Sequence, residues 1–297
     1  MPASAAFSCA FPATKEFAKT IKHVHFKGLL PYLRGNEIQE HIVARALAYR
    51  DCQILKRNPR LAANLPKDSP PASHSAVLSF EFEPVYTGGK REKKNTTSKK
   101  IDAMDQMKHV SFVQTNRGGQ VTFHGPGQIV IYPILDLSAY RGLTSRCYVS
   151  TLEKSIIGVL SGDPFHLPAK TTENTGVWVD SKETYNEGTS IKKISSLGVN
   201  VRRSVTSHGC SINCKTDLSY VNDPQFVMCG LSEFKQTSIS NELGKMDVSL
   251  ETVSDLFVRQ LAGRLGIEEI DRIEIERDNA MEDDVFRRLD DELTVSS

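Results

Sequence analysis

Long apolar runs are missing from this sequence. No stretch approaches the roughly 20 consecutive apolar residues that a membrane-crossing helix needs, so no membrane span is expected. The opening Ala-Ala-Phe-Ser-Cys-Ala-Phe, residues 5–11, lacks the basic segment that precedes a secretory signal core. Excess charge of one sign is missing too. Lys plus Arg total 37 against 36 Asp plus Glu, so no global field draws the chain to nucleic acid or an anionic surface, and no nucleic-acid partner is expected. Cysteine is sparse and unevenly spaced: the six, at 9, 52, 147, 210, 214 and 229, do not read as a disulfide framework in 297 residues. Free thiols in a reducing compartment are the expectation. What remains is 39% apolar and 25% charged, enough to bury one large core or two smaller ones.

Apolar periodicity marks three helices. Asn36 and Gln39 resemble a capping pair ahead of Ile38, Ile42, Ala46 and Tyr49, which predicts a helix of about four turns. Val149, Leu152, Ile156, Val159 and Leu160 predict a second, stopped by Gly162-Asp163-Pro164. Val253, Leu256, Phe257, Leu261 and Leu265 predict a third, with Ser249 as its cap. Strands are expected at 78–82, 110–114, 128–137, 177–179, 193–201 and 208–214, with Pro133 arguing for an edge or a bulge. Interleaved helices and strands without an internal repeat indicate an α/β or α+β domain with a mixed sheet. Residues 89–108 are polar and basic and read as a mobile surface insertion. Residues 268–297 are acidic and poorly periodic and read as a frayed tail.

Candidate chemistry clusters in three places. Arg117 to Gln128 packs four glycines and Pro126 around Arg117 and His124. Such a segment lets main-chain amides approach a ligand, although glycine count alone favours a tight turn between strands. It contains neither a Walker loop nor a dinucleotide fingerprint. His208, Cys210, Cys214 and Cys229 could be drawn as zinc ligands, but no Cys-x-x-Cys knuckle exists and the spacing argues against a metal. A cysteine nucleophile beside a lysine is the competing idea. The residues alone do not choose which cysteine.

Taken together, Arg117 to Leu137, Lys193 to Asn200, His208 to Asn213 and Cys229-Gly230 resemble the lipoyl(octanoyl) transferase family. Weaker support comes from Lys27 to Tyr32, Pro84 to Gly88 and Gly176 to Val179, and the match runs from about residue 24 to about 265. The resemblance implies an α/β (α+β) fold, mixed sheets with flanking helices, like the catalytic module of biotin and lipoate protein ligases. It divides the chain into an N-terminal segment 1–23, a catalytic domain 24–267 carrying the insertion, and the tail 268–297. It implies a catalytic pair, Cys229 and Lys193, since only Lys193 directly precedes Ile-Ser-Ser-Leu-Gly; Lys192 points to the opposite face and is expected to be solvated or at the rim. The acyl pocket it implies is bounded by Arg117, Gly118, Gly119, Gln120, Val121, Thr122, Phe123 and His124, by Ser196, Leu197 and Gly198, and by Gly209, Cys210 and Ser211. The sequence departs from the family pattern in its longer insertion, in Asn116 for aspartate, in Met228 for proline, in extra residues between His208 and Cys229, and in Cys210 at a usually apolar position.

The function so implied moves an octanoyl group from octanoyl-acyl carrier protein to a lipoyl-domain lysine through a cysteine thioester, with no cofactor and no metal. Acceptors would be lipoyl domains such as glycine cleavage H protein and the E2 subunits of 2-oxoacid dehydrogenases. The basic residues Lys90, Arg91, Lys93, Lys94, Lys99 and Lys100 could attract an acidic carrier. An ATP-dependent lipoate or biotin ligase, or a non-catalytic lipoyl-domain or carrier-binding module, are the alternatives. Residues 1–15 hold no acidic residue and a single lysine, and the first arginine is Arg34. That composition, with the family, implies a mitochondrial transit peptide; a cytoplasmic terminus is the alternative.

Overall fold

The computed structural model of the chain describes residues 11–57, 60, 72–92, 110–185, 189–222 and 234–295, the side chains of 182–189 excepted. Its strands are β1 (Thr20–Leu30), β2 (Ser75–Phe82), β3 (Val85–Gly88), β4 (Ser111–Gln114), β5 (Thr122–His124), β6 (Gln128–Ile134), β7 (Ala169–Lys170), β8 (Val177–Tyr185), β9 (Thr189–Arg202), β10 (Val205–Asn213) and β11 (Glu269–Ile275). The four longer helices are α1 (Tyr32–Arg57), α2 (Ser145–Ser161), α3 (Leu250–Leu265) and α4 (Asp284–Leu293). Eight strands form one mixed sheet in the order β11-β1-β2-β6-β10-β9-β8-β7, and β4-β3-β5 form a second. β1 runs parallel to β2 and β11, while β2, β6, β10, β9 and β8 alternate in direction. The expected α/β class with mixed sheets is what the chain forms.

Alternation along the strands sorts the core into two layers. In β6, Ile129 and Ile131 join α2 and α3 on one face, whereas Val130, Tyr132 and Ile134 join α1 and α4 on the other. Phe123, Val121 and Tyr86 make a third cluster with Val221 under the small sheet. The caps of α2 and α3 follow from their sequence. Thr144 accepts from Cys147 N and Ser249 from Thr252 N, and α3 ends on Gly266 in the left-handed conformation.

Four expectations need correction. α1 starts at Tyr32, because Pro31 supplies the opening carbonyl to Arg34 N and Gly35 N; Asn36 is interior and not a cap. Pro133 lies in a central strand. It pairs with Val77 of β2, and on the β10 side Thr206 Oγ1 donates to its carbonyl at 2.8 Å, while His208 N donates to Gln39 Oε1. The first insertion residues are tied down: Gly89, Lys90 and Arg91 donate to the carbonyls of Gln120, Arg117 and Gly119, and Glu92 is buried. Residues 93–108 lie outside the described residues.

The largest correction concerns the termini. Thr14 N donates to Ala139 O, and β1 already begins at Thr20, so residues 11–23 belong to the same fold as the rest. The expected acidic tail adds β11 to the sheet, with Val24 opposite Ile273, and then α4. Its charges are compensated locally, by Lys22–Asp271, Lys27–Glu274 and Arg272–Glu251 pairs. Val285, Leu289 and Leu293 recur every fourth residue and are buried against α1. Arg45 further ties α1 to Asp290, and Arg34 donates to Ala280 O and Glu282 O. We therefore expect Leu289→Ala, at 0% exposure, to cost about 2–5 kcal/mol in urea unfolding. Deletion of 269–297 should abolish a cooperative transition; a deletion variant that unfolds with the full-length midpoint would contradict this packing.

Candidate active site

A narrow cavity opens on the α1 face where β6, β9 and β10 meet the glycine-rich loop after β4. Of the residues expected around an acyl pocket, Arg117, Gly119, Gln120, Thr122, His124, Ser196, Leu197, Gly198, Gly209, Cys210 and Ser211 line it. Gly118 stands behind the wall, its N–H donating to Val199 O at 2.9 Å. Val121 and Phe123 turn into the third apolar cluster, as alternation about Thr122 requires. Val130 and Tyr132 complete the lining and were not anticipated; their two-residue spacing along β6 carried the signal.

Close approach of backbones shapes the wall. A Cβ at Gly198 would stand 2.9 Å from Arg117 Cδ and 3.0 Å from Gly118 O, so no larger residue fits while Arg117 keeps its place. Arg117 is buried and spans the loop to β3, donating to Thr87 O at 2.6 Å and Thr87 Oγ1 at 2.9 Å. Cys210 pairs with Ile131 and belongs to the α2/α3 core, so its side chain turns away from the face that Gly209 and Ser211 present. Burial pushes its thiol well above the usual range, and that of Cys214 up to about 12. Both are inert at neutral pH.

Lys193 lies on the cavity side of β9 because of a bulge. Val177 pairs with Ser195 but Trp178 pairs with Lys193, which leaves one extra residue, Ile194, on β9. Ile194 belongs to the α2/α3 core, as do Val177, the partner of Ser195, and Ile212. Two consecutive residues thus point to one side, and Lys193 shares the other with Ser196 and Gly198. Its ammonium is buried, donates to Thr175 O at 3.0 Å and lies 5.3 Å from the centre of the Trp178 ring. Lys192 pairs with Val179 on the opposite face. It is buried at 6% exposure, not solvated as expected.

The backbone of Lys193 is held by the chain that follows Cys229. Lys193 N donates to Lys235 O at 2.9 Å and Thr237 N to Lys193 O at 2.8 Å. Asn222 then brackets Gln236, accepting from its N–H at 2.7 Å and donating to its carbonyl at 3.0 Å. Asn213 donates to Thr237 O and accepts from Gln128, whose Oε1 lies 2.7 Å from His124 Nδ1. A polar chain therefore runs from the cavity histidine to the lysine strand. Cys229, Met228 and Gly230 lie outside the described residues.

Two buried imidazoles stand at the cavity. Burial lowers His124 to about 4, partly opposed by Gln128 and reinforced by Arg117. Burial lowers His208 to about 3, with Arg117 and His124 adding to it. His124 stacks on Tyr32 with ring centres 5.9 Å apart, and His208 meets Tyr132 edge-on. Elsewhere Ser79 Oγ lies 2.9 Å from His23 Nε2, and His23 Nδ1 3.2 Å from Asp255, the outline of a hydrolase triad. Ser79 has no exposed surface and also bonds His25 Nδ1, so this set joins β1, β2 and α3 and meets no substrate. Among the described residues no group of three His, Cys, Asp or Glu side chains could hold a metal.

Residues 59–262 match the model of the lipoyl protein ligase A/B catalytic domain. The chain is 40% identical over 293 residues to the mitochondrial octanoyltransferase of Kluyveromyces lactis, across 87% of this chain and 84% of that one. It is 38% identical over 299 residues to that of Saccharomyces cerevisiae, across 90% and 88%. Among solved structures, the bipartite lipoate protein ligase of Thermoplasma acidophilum gives a TM-score of 0.54 at 13% identity, over 92% of this chain and 91% of that one, a likeness of fold. The fold is thus of the lipoate ligase class. The chain belongs to the lipoyl protein ligase A/B catalytic family, beside its mitochondrial octanoyltransferases, and is an acyltransferase.

The imidazoles set a pH test. Both titrate below the ordinary value of about 6.5, so between pH 6.5 and about 4 the unfolded chain binds protons that the folded one refuses. Their contribution is full above about pH 6.5 and is lost as pH falls, by up to about 1.4 kcal/mol per pH unit for each. Urea midpoints should drop from pH 7 to pH 5, and His124→Gln should lessen the drop. Midpoints flat across that interval would contradict neutral burial.

Proposed function

We propose that the protein moves an octanoyl group from octanoyl-acyl carrier protein to a lipoyl-domain lysine through a thioester on Cys229. The observation that carries this reading is Lys193: a buried ammonium on the cavity face of β9, hydrogen-bonded through its backbone to the segment that follows Cys229 in sequence. The assignment of Cys229 rests on the family motif. The cavity between β6, β9 and β10, with Val130, Tyr132, Gly198 and Gly209 among its walls, suits an unbranched acyl chain. The mitochondrion, where octanoyltransferases similar to this chain are placed by name, is its compartment.

In the first half-reaction the Cys229 thiolate, favoured by the nearby Lys193 cation, attacks the carrier thioester carbonyl. A new carbon–sulfur bond forms, the old one breaks, and the carrier thiolate leaves and takes a proton from Lys193, which is left as the neutral amine. One thioester replaces another, so the step needs no ATP. In the second, the acceptor amine attacks the enzyme thioester, the amide forms, the Cys229 sulfur leaves, and Lys193 receives the amine proton. Backbone amides would hold the oxyanion. Glycine cleavage H protein and E2 lipoyl domains are the acceptors this chemistry fits.

Intact-mass spectrometry after mixing with octanoyl-acyl carrier protein should find one octanoyl adduct, mapped to Cys229 and removed by a lipoyl domain. Cys229→Ser should lower transfer by orders of magnitude, since an alcohol does not ionise usefully at neutral pH. Lys193→Met should slow alkylation of Cys229 at neutral pH, with recovery as pH rises. Cys210→Ser and Cys214→Ser should retain most transfer. An adduct on Cys210, full transfer by Cys229→Ser, or product formed only with ATP would each overturn the reading.

A further inference from the structure

We infer that Glu153 is a positioning residue for Lys193, acting through a single peptide group. This inference rests on the reading of Lys193 given above and extends it to a helix on the opposite side of the sheet. The carbonyl that receives the Lys193 ammonium belongs to Thr175, at 3.0 Å. The N–H of the same peptide unit belongs to Gly176, and it donates to Glu153 Oε1 at 3.0 Å. A trans peptide presents its C=O and N–H in opposite directions. A carboxylate therefore stands at the positive end of this peptide dipole and an ammonium at the negative end. Each charge strengthens the hydrogen bond at the other end by polarising the group between them. Rotating the peptide would set both charges against the dipole at once, so the pair fixes where the carbonyl points and hence where Nζ rests.

The surroundings leave little freedom for any other arrangement. Gly176 has φ of +133°, and a Cβ there would lie 2.5 Å from Lys193 Cε and 2.8 Å from Ser195 O, so the turn accepts glycine alone with the lysine in place. Trp178 Nε1 holds the preceding carbonyl, Asn174 O, at 3.1 Å, and its ring faces the ammonium. Glu153 comes from the middle of α2, between Leu152 and Ile156, whose burial in the core beneath the sheet fixes the height of the carboxylate. Neither acyl donor nor acceptor need touch it. Its effect on turnover passes through the lysine.

The test compares Glu153→Leu, which removes the acceptor, with Glu153→Gln, which keeps an oxygen of the same reach, in the full chain. For Glu153→Leu the expected result is transfer turnover lower by about ten-fold or more at nearly unchanged KM for the octanoyl carrier. The pH profile of Cys229 alkylation, read by peptide mass, should move to higher pH, and Glu153→Gln should restore most of both. A Leu variant with the wild-type turnover and profile overturns the inference. So does equal impairment of Leu and Gln with an unshifted profile, since that marks a merely structural role. If Glu153→Leu does not fold, Glu153→Asp, which withdraws the carboxylate by one methylene, must show the shift, and an unshifted profile there overturns it as well. Lys193→Met measured alongside separates the two readings: if it slows alkylation while the Glu153 variants do not, only the role of Glu153 falls. If it changes nothing, the catalytic reading of Lys193 falls and this inference with it.

Discussion

A lysine ammonium taken out of water must be given partners, and that demand at Lys193 organises the middle of this molecule. An unpaired buried charge costs several kcal/mol, so the fold meets it from three directions. The Thr175 carbonyl accepts a hydrogen bond, the Trp178 ring offers its face, and the strand carrying the lysine is paired on one edge by β8 and on the other by β10. Main-chain bonds to Lys235 and Thr237 add a fourth constraint. With so many ties the ammonium has one position, as the role proposed for it requires.

The sheet's alternation would have defeated this arrangement without the bulge. Along a regular strand Lys193 would share a face with Leu197, which packs into the α2/α3 core. One extra residue at Ile194 transfers the lysine to the side of Ser196 and Gly198, where the cavity is. The motif Lys193-Ile-Ser-Ser-Leu-Gly was legible in the sequence, and so was the opposition of Lys192 to Lys193. The bulge was not, because nothing in Ile-Ser-Ser distinguishes an extended strand from one with an added residue. The burial of Lys192 was hidden for a related reason: its neighbour across the ladder, Val179, is identified only by the register.

Most of the framework could be read directly. The helices around Ile156 and Phe257, the cap Ser249 and the mixed sheet follow from period and capping chemistry. The C-terminal region is masked by its acidic composition, within which Val285, Leu289 and Leu293 form a four-residue repeat. Pro133 misled for a different reason. A proline in a central strand is tolerated where side chains take over part of the ladder, and here Thr206 Oγ1 donates to the Pro133 carbonyl while Gln39, buried in α1, accepts from His208 N. Gln39 looked like part of a helix cap; its use is to complete a ladder some 170 residues away, which only tertiary structure reveals.

The same burial that creates the cavity also decides which thiols can react. Cys210 and Cys214 lie in the α2/α3 core, where an ion would be desolvated without compensation, and their thiols are correspondingly hard to ionise. Cys52 is buried as well, and Cys147, at the first turn of α2, stands away from the cavity lining. The two imidazoles beside the cavity are held neutral, so they place no cation against an apolar chain. A thiolate formed within reach of the Lys193 ammonium is stabilised, and one formed elsewhere in the core is not. The proposed choice of Cys229 rests on where charge is tolerated.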